Sequence, residues 1–289
     1  MKRLLLALVL FGPAAYACDA SHLGLSGAIR VDTCLDTDAP HCVYAGKAVR
    51  AYGDRIPDSD EVLTILLPSS PWHLYDSESR ILTVEDLAAS IRPKLGGKVE
   101  RIELIGSWTG VSPAPGTPSL AQRLSRALDG FPVKGEDGFL WLSPDGSRRT
   151  TRQAYTGREG GGSYFLPEGS DVLVSLATGW PVYVEDRIPE DDLALRTAAA
   201  AGADVFLLCP DQALASYERV AGQGGAIAAY NAAIMRLERN ADGDRDAALR
   251  LLERGAALGD ARSRERLDAE RAAPPSTAPL SATEPSTSK

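Results

Sequence analysis

Three histidines and four cysteines in 289 residues leave little material for metal or nucleophile chemistry. His22, His41 and His73 stand apart from one another. No His-Glu-x-x-His occurs, and no Cys-x-x-Cys or His pair has ligand spacing, so a zinc site is not expected. A phosphate-cradling loop is also missing. The Gly-rich run Gly157–Ser163 lacks the Gly-Lys-Ser ending and reads as a hairpin loop. Positive charge is in deficit: 31 Lys and Arg face 39 Asp and Glu, a net charge of −8. That balance argues against nucleic acid and against an anionic membrane surface as partners. The apolar run at the start, Leu4–Phe11, is too short to span a bilayer. No cofactor is expected.

That first run has another use. Lys2 and Arg3 precede it and Ala15-Tyr16-Ala17 follows it, which is the pattern of a secretory signal over residues 1–17. Loss of Lys2 and Arg3 with the signal makes the net charge two units more negative. Cys18 raises a lipoprotein alternative, and only then would a membrane be a partner. Ala15 stands where a lipoprotein signal normally has Leu, so simple cleavage and a periplasmic location are favoured. Export makes disulfides the default for Cys18, Cys34, Cys42 and Cys209. Four cysteines allow three connectivities. In the expected arrangement one bridge ties the N-terminal segment to the chain just before the last helices.

Residues 18–189 read as an α/β domain. Glu61–Leu67 and Val99–Ile105 are apolar runs of strand length, and Phe131 to Val133 opens a third strand. Between them, Thr83–Arg92 has a capping Thr, acidic Glu85 and Asp86 in its first turn, and Leu87 and Ile91 on one face. Ser119–Leu128 stacks Leu120, Leu124 and Leu128 behind Pro118. Strand–helix–strand–helix–strand with short links predicts a mostly parallel sheet covered by helices. After it, Phe139–Leu142 and Arg148–Arg152 flank the turn Ser143–Gly146 and predict a hairpin. Asp171–Val184 predicts a further strand pair.

Residues 190–273 carry an internal duplication. The sixteen residues from Asp211 to Ala226 align with those from Asp246 to Ala261, 35 positions on, with eight identities. Such a period signals helical hairpins that bury their apolar faces by stacking, an α-solenoid type of segment. Asp211 and Asp246 stand where helix N-caps are expected, and Gly224 and Gly259 where a left-handed residue ends a turn. Leu249, Leu252 and Ala256 share one helical face. The Ala-rich stretch Glu190–Ala201 reads as a degenerate first helix, and the polar run after Ala261 as a solvent-facing cap. Residues 274–289 are Pro, Ser, Thr and Ala and read as a disordered tail.

The 35-residue offset, the Ala-x-x-Gly-x-Ala turns (Ala221 to Ala226 and Ala256 to Ala261) and Ala229-Tyr230-Asn231 resemble Sel-one-like repeats, relatives of the tetratricopeptide repeat. The usual Leu-Gly-x-x-Tyr is absent. The resemblance implies helical hairpins that hold other proteins, and no chemistry. Tyr217, Tyr230 and Arg236 are the expected partner-binding side chains. Exported proteins resembling this family include neutralisers of toxins delivered between bacteria, so an immunity role against a secreted toxin is the specific expectation.

The α/β segment is weakly similar to the core of caspase-like peptidases. That family needs His-Gly after the first strand and Cys after the second. Pro68-Ser69-Ser70 and Gly106-Ser107-Trp108 stand there instead, so the resemblance implies lost protease activity. Ser107, His73 and Asp76 are the candidates for an enzyme of another kind, because they sit at or near strand ends. Ser107 does not lie in the Gly-x-Ser-x-Gly of a nucleophile elbow. Asn240-Ala241-Asp242-Gly243-Asp244 spaces oxygens like a calcium loop but lacks its closing Glu, and reads as an inter-helix loop. A protein-binding repeat protein is thus the expectation, with an α/β hydrolase and an envelope scaffold as alternatives.

Overall fold

The computed structural model describes residues 56–57, 59–76, 78–142, 145, 147–151, 174–175, 189–206 and 210–273, with 151, 174–175 and 202–206 described by backbone alone. The signal, all four cysteines, the Gly157–Ser163 loop, most of the Asp171–Val184 strand pair and the tail lie outside the described residues.

The first unit is a three-stranded parallel sheet in the order β1 (Val62–Leu66), β4 (Arg101–Ile105), β5 (Val133–Gly135). Helix α1 (Val84–Ile91) crosses from β1 towards β4, and α2 (Leu120–Ala127) from β4 to β5. Both begin where their caps dictate. The Thr83 hydroxyl accepts the Asp86 N–H, and Ser119 and Gln122 form a reciprocal capping box. Strand alternation does the rest. Ile102 and Leu104 of β4 are buried against Leu87, Ile91, Leu120 and Leu124, while Arg101 and Glu103 take the other face.

The segment between β1 and α1 folds into a short antiparallel hairpin of β2 (Leu74–Tyr75) and β3 (Ile81–Leu82). Its register sets Leu74 against Leu82 and Tyr75 against Ile81. Leu74 and Leu82 enter the α/β core, and Tyr75 and Ile81 enter the helical core. Two residues of strand are enough to serve two cores, because successive side chains leave a strand on opposite faces. Beyond the parallel sheet, β6 (Phe139–Leu142) pairs antiparallel with β7 (Arg148–Thr151), as expected, and with β8 (Val174–Ser175).

The helical region runs α3 (Leu193–Phe206), α4 (Pro210–Gly222), α5 (Ala226–Arg239), α6 (Asp244–Ala257), α7 (Ala261–Ala272), each packing on the next. Helix α5 is buried from Ala228 to Met235, as a helix that is apolar nearly all round must be. The 35-residue duplication recurs in the backbone. Gly224 N–H donates to Ala221 and Gly225 N–H to Val220; Gly259 N–H donates to Ala256 and Asp260 N–H to Gly255. Gly224 and Gly259 both have positive φ (103° and 93°), where a side chain would be strained. On the predicted helical face, Leu252 is fully buried and Leu249 and Ala256 partly so.

The expected N-caps are corrected. Asp211 lies in the first turn of α4, whose first residue is Pro210, and Asp246 lies in the first turn of α6, whose N-cap is Gly243. Asn240 and Gly243 both adopt left-handed backbone, and the helix starts three residues earlier than it would with Asp246 as its cap. Among the described residues no helix is long and apolar enough to cross a membrane.

Candidate functional site

In α/β sheets, ligands meet the C-terminal ends of the strands. Here those ends are filled by the chain itself. Ser69, after β1, and Ser107, after β4, lie together, and the Ser69 hydroxyl donates to the Ser107 carbonyl at 2.9 Å. Ser107 is fully buried, and its Oγ accepts the N–H of Leu140 at 2.9 Å. Strand β6 therefore caps the place where a substrate would sit. Trp108, held at φ 59°, packs edge-on against Phe139, which stacks on Trp141; all three are buried. Thr109 donates to Leu104 and Gly106 and accepts the Glu136 N–H. Gly135 completes the closure. A Cβ there would come within 2.5 Å of the Gly110 nitrogen, so only glycine lets β5 pass so close.

The other two enzyme candidates are engaged elsewhere. Asp76 Oδ1 accepts the N–H groups of Glu78 and Arg80, which makes it the turn former of the β2–β3 hairpin. His73 is buried, and its Nε2 lies 2.8 Å from Glu238 Oε2 on α5. Ser107, His73 and Asp76 thus have three separate jobs, and the fold joins them in no relay.

His73 belongs to a seam between the two units. Asn231 of α5 is fully buried and reads the hairpin backbone twice: its Oδ1 accepts the Ile81 N–H and its Nδ2 donates to the Ser79 carbonyl, both at 2.8 Å. Arg80 places its guanidinium 5.2 Å over the Tyr230 ring and pairs with Asp260 at 2.8 Å. Arg123 of α2 donates to the Trp72 carbonyl and stands 3.5 Å from Glu238. Burial alone would push the Glu238 carboxyl up, but His73 and Arg123 outweigh it and hold it below the usual carboxylate range.

The side chains expected to bind a partner, Tyr217, Tyr230 and Arg236, also have places within the fold. Tyr217 is fully buried in the helical core. Tyr230 is buried under Arg80 of the hairpin, so its contact is with its own chain. Arg236 donates to Glu218 and to Asp244. Asp244 is the centre of a charge cluster: Arg236, Arg239 and the Ala241 N–H all donate to it. The Arg239 hydrogen bond, chiefly, drives its carboxyl far below the usual range. The loop that resembled a calcium site therefore spends its buried carboxylate on two arginines.

Open grooves among the described residues include two on opposite units. One, of about 330 Å³, lies on the sheet face without helices and is lined by Thr64, Arg101, Glu103 and Arg148, among others. Arg148 bridges Glu103 and Glu136 there and pins β7 to the sheet. Its hydrogen bond lowers the Glu103 carboxyl, whereas burial raises that of Glu136. The other groove, of about 320 Å³, lies between α4 and α6 and is lined by Glu218, Ala247, Arg250, Leu251 and Arg254. The hairpin reaches the helical region through α5 and the N-cap of α7 and leaves that groove uncovered.

Sequence reasoning took Asn231 only as part of the repeat pattern and missed the hairpin it holds. The signal available was a lone Asn inside an Ala-rich apolar helix, a residue that needs partners when buried. No curated protein and no solved structure matches the chain. A family model described as a domain of unknown function (DUF8616) matches residues 38–150, which take in the parallel sheet, the β2–β3 hairpin and the serine-filled strand ends and stop short of the helical region.

Proposed function

We propose that this protein works by holding another protein. The helical region, of Sel-one-like type, offers the outer faces of α4 and α6. The α/β unit, a caspase-like core without its catalytic pair, serves as the buttress behind them. The observation that carries this reading is the division of the helical surface. Its α5 side is taken by the β2–β3 hairpin through Asn231 and Tyr230, and among the described residues its α4–α6 side is open. The filled strand ends support a non-catalytic α/β unit, because Ser107 Oγ already accepts a backbone N–H inside the core.

The specific reading is an exported, periplasmic protein that neutralises a toxin delivered between bacteria. The signal-like start and the repeat-like helices support it. Affinity capture with the purified chain tests it. One protein recovered in near-stoichiometric amount supports the binding role, and toxicity of that protein in cells lacking this chain supports immunity. Recovery of several envelope proteins points instead to a scaffold. Recovery of nothing, with turnover of an ester or peptide that Ser107→Ala abolishes, defeats the binding reading.

A further inference from the structure

The groove between α4 and α6 has a distinct charge. Glu218 on its wall is neutralised by Arg236, whose Nε donates to it at 2.6 Å. Arg250 is exposed and makes no hydrogen bond or ion pair among the described residues. Arg254, also exposed, reaches only a neutral acceptor, the Ala221 carbonyl at 3.4 Å. Among the described residues, two guanidiniums thus stand uncompensated over a floor of Ala247 and partly buried Leu251, in a chain whose net charge is −8.

Given the binding role proposed above, we infer that this groove takes an extended segment of a partner protein bearing two carboxylate side chains two residues apart. Each carboxylate meets one guanidinium, a planar fork that matches a carboxylate's two oxygens. Spacing selects the register. Arg250 and Arg254 are one helical turn apart, about 6 Å along the axis. Alternate residues of an extended chain face the same way at about 6.6 Å. A helix in the partner would instead repeat its acids four residues apart, and a consensus with that spacing overturns the extended form. The methylenes of the acidic side chains lie along Leu251 and the arginine stems, which supplies apolar contact beneath the ion pairs.

Selection of random displayed peptides on the full chain tests this, followed by titration of the enriched peptide as a labelled synthetic. The expected consensus is acid-x-acid. The expected affinity falls about tenfold or more in Arg250→Ala/Arg254→Ala and falls with added salt. Arg262→Ala, an exposed arginine on α7, should bind as the parent does, and all three proteins should have the same circular dichroism and melting temperature. A consensus without carboxylates overturns the inference, as does equal binding by the double variant. Either result leaves protein binding elsewhere on the chain intact. Failure to select any peptide overturns the inference as well, and the capture experiment then decides the broader reading separately.

Discussion

His73 and Glu238 are 165 residues apart and meet at 2.8 Å, across the seam between the α/β unit and the helical region. The imidazole is buried and the carboxylate also faces Arg123. Burial opposes the Glu238 charge and these two partners restore it, so its carboxyl sits below the ordinary range. A depressed carboxyl stabilises the fold above its unfolded pKa, near 4.3, and that contribution disappears as pH falls through the folded value. Acidification below about pH 4 should therefore weaken the seam. Thermal unfolding followed between neutral and acid pH should show a shallower acid decline in Glu238→Gln than in the parent. Parallel curves for the two would contradict it.

Asp244 is almost wholly buried and accepts from Arg236, Arg239 and the Ala241 N–H. Removing it takes the main partner from the Arg239 guanidinium, leaves Arg236 with Glu218 alone, and frees the Ala241 N–H. The arginines are partly exposed, which discounts the buried-pair figure. Asp244→Ala should cost about 2 kcal/mol in urea unfolding. Asp246→Ala, at an exposed position in the same turn, should cost less than about 0.5 kcal/mol.

Asn231→Leu keeps the volume but strands the Ile81 N–H and the Ser79 carbonyl. One or two buried backbone groups without partners should cost about 1 to 3 kcal/mol. The loss should be local before it is global. Amide exchange at Ile81 should rise well above that at Leu104 in β4, and equal acceleration of both would argue against the hairpin as a separable clasp.

Ser107→Ala removes the acceptor of the Leu140 N–H. It should lower stability by about 1 to 2 kcal/mol and leave partner capture unchanged. A serine-reactive fluorophosphonate should not label the parent protein. Labelling that Ser107→Ala abolishes would restore the enzyme reading.

Much of the α/β unit was legible because its signals are local. Thr83 and Ser119 cap the helices they announced, and the apolar runs became the paired strands β1 and β4. The 35-residue duplication was legible for the same reason, since Gly224 and Gly259 fix identical turns. The seam was not. Tyr75 and Ile81 sit in a stretch too short to show alternation, and their burial depends on α5, some 150 residues further on. Tyr230 and Arg236 looked like partner-facing side chains because aromatics and arginines often are. Their contacts within the chain, to Arg80 and Asp244, could be named only once the helices were packed. The groove arginines escaped notice because an exposed Arg on a polar helix has no sequence signature of its own.

Hydrogen exchange on the complex with the captured partner tests the central claim most directly. The account predicts new protection in Pro210–Gly222 and Asp244–Ala257, with Ser69 to His73 and Gly106 to Gly110 unchanged. Protection confined to those strand ends, with α4 and α6 exchanging as in the free protein, would contradict it.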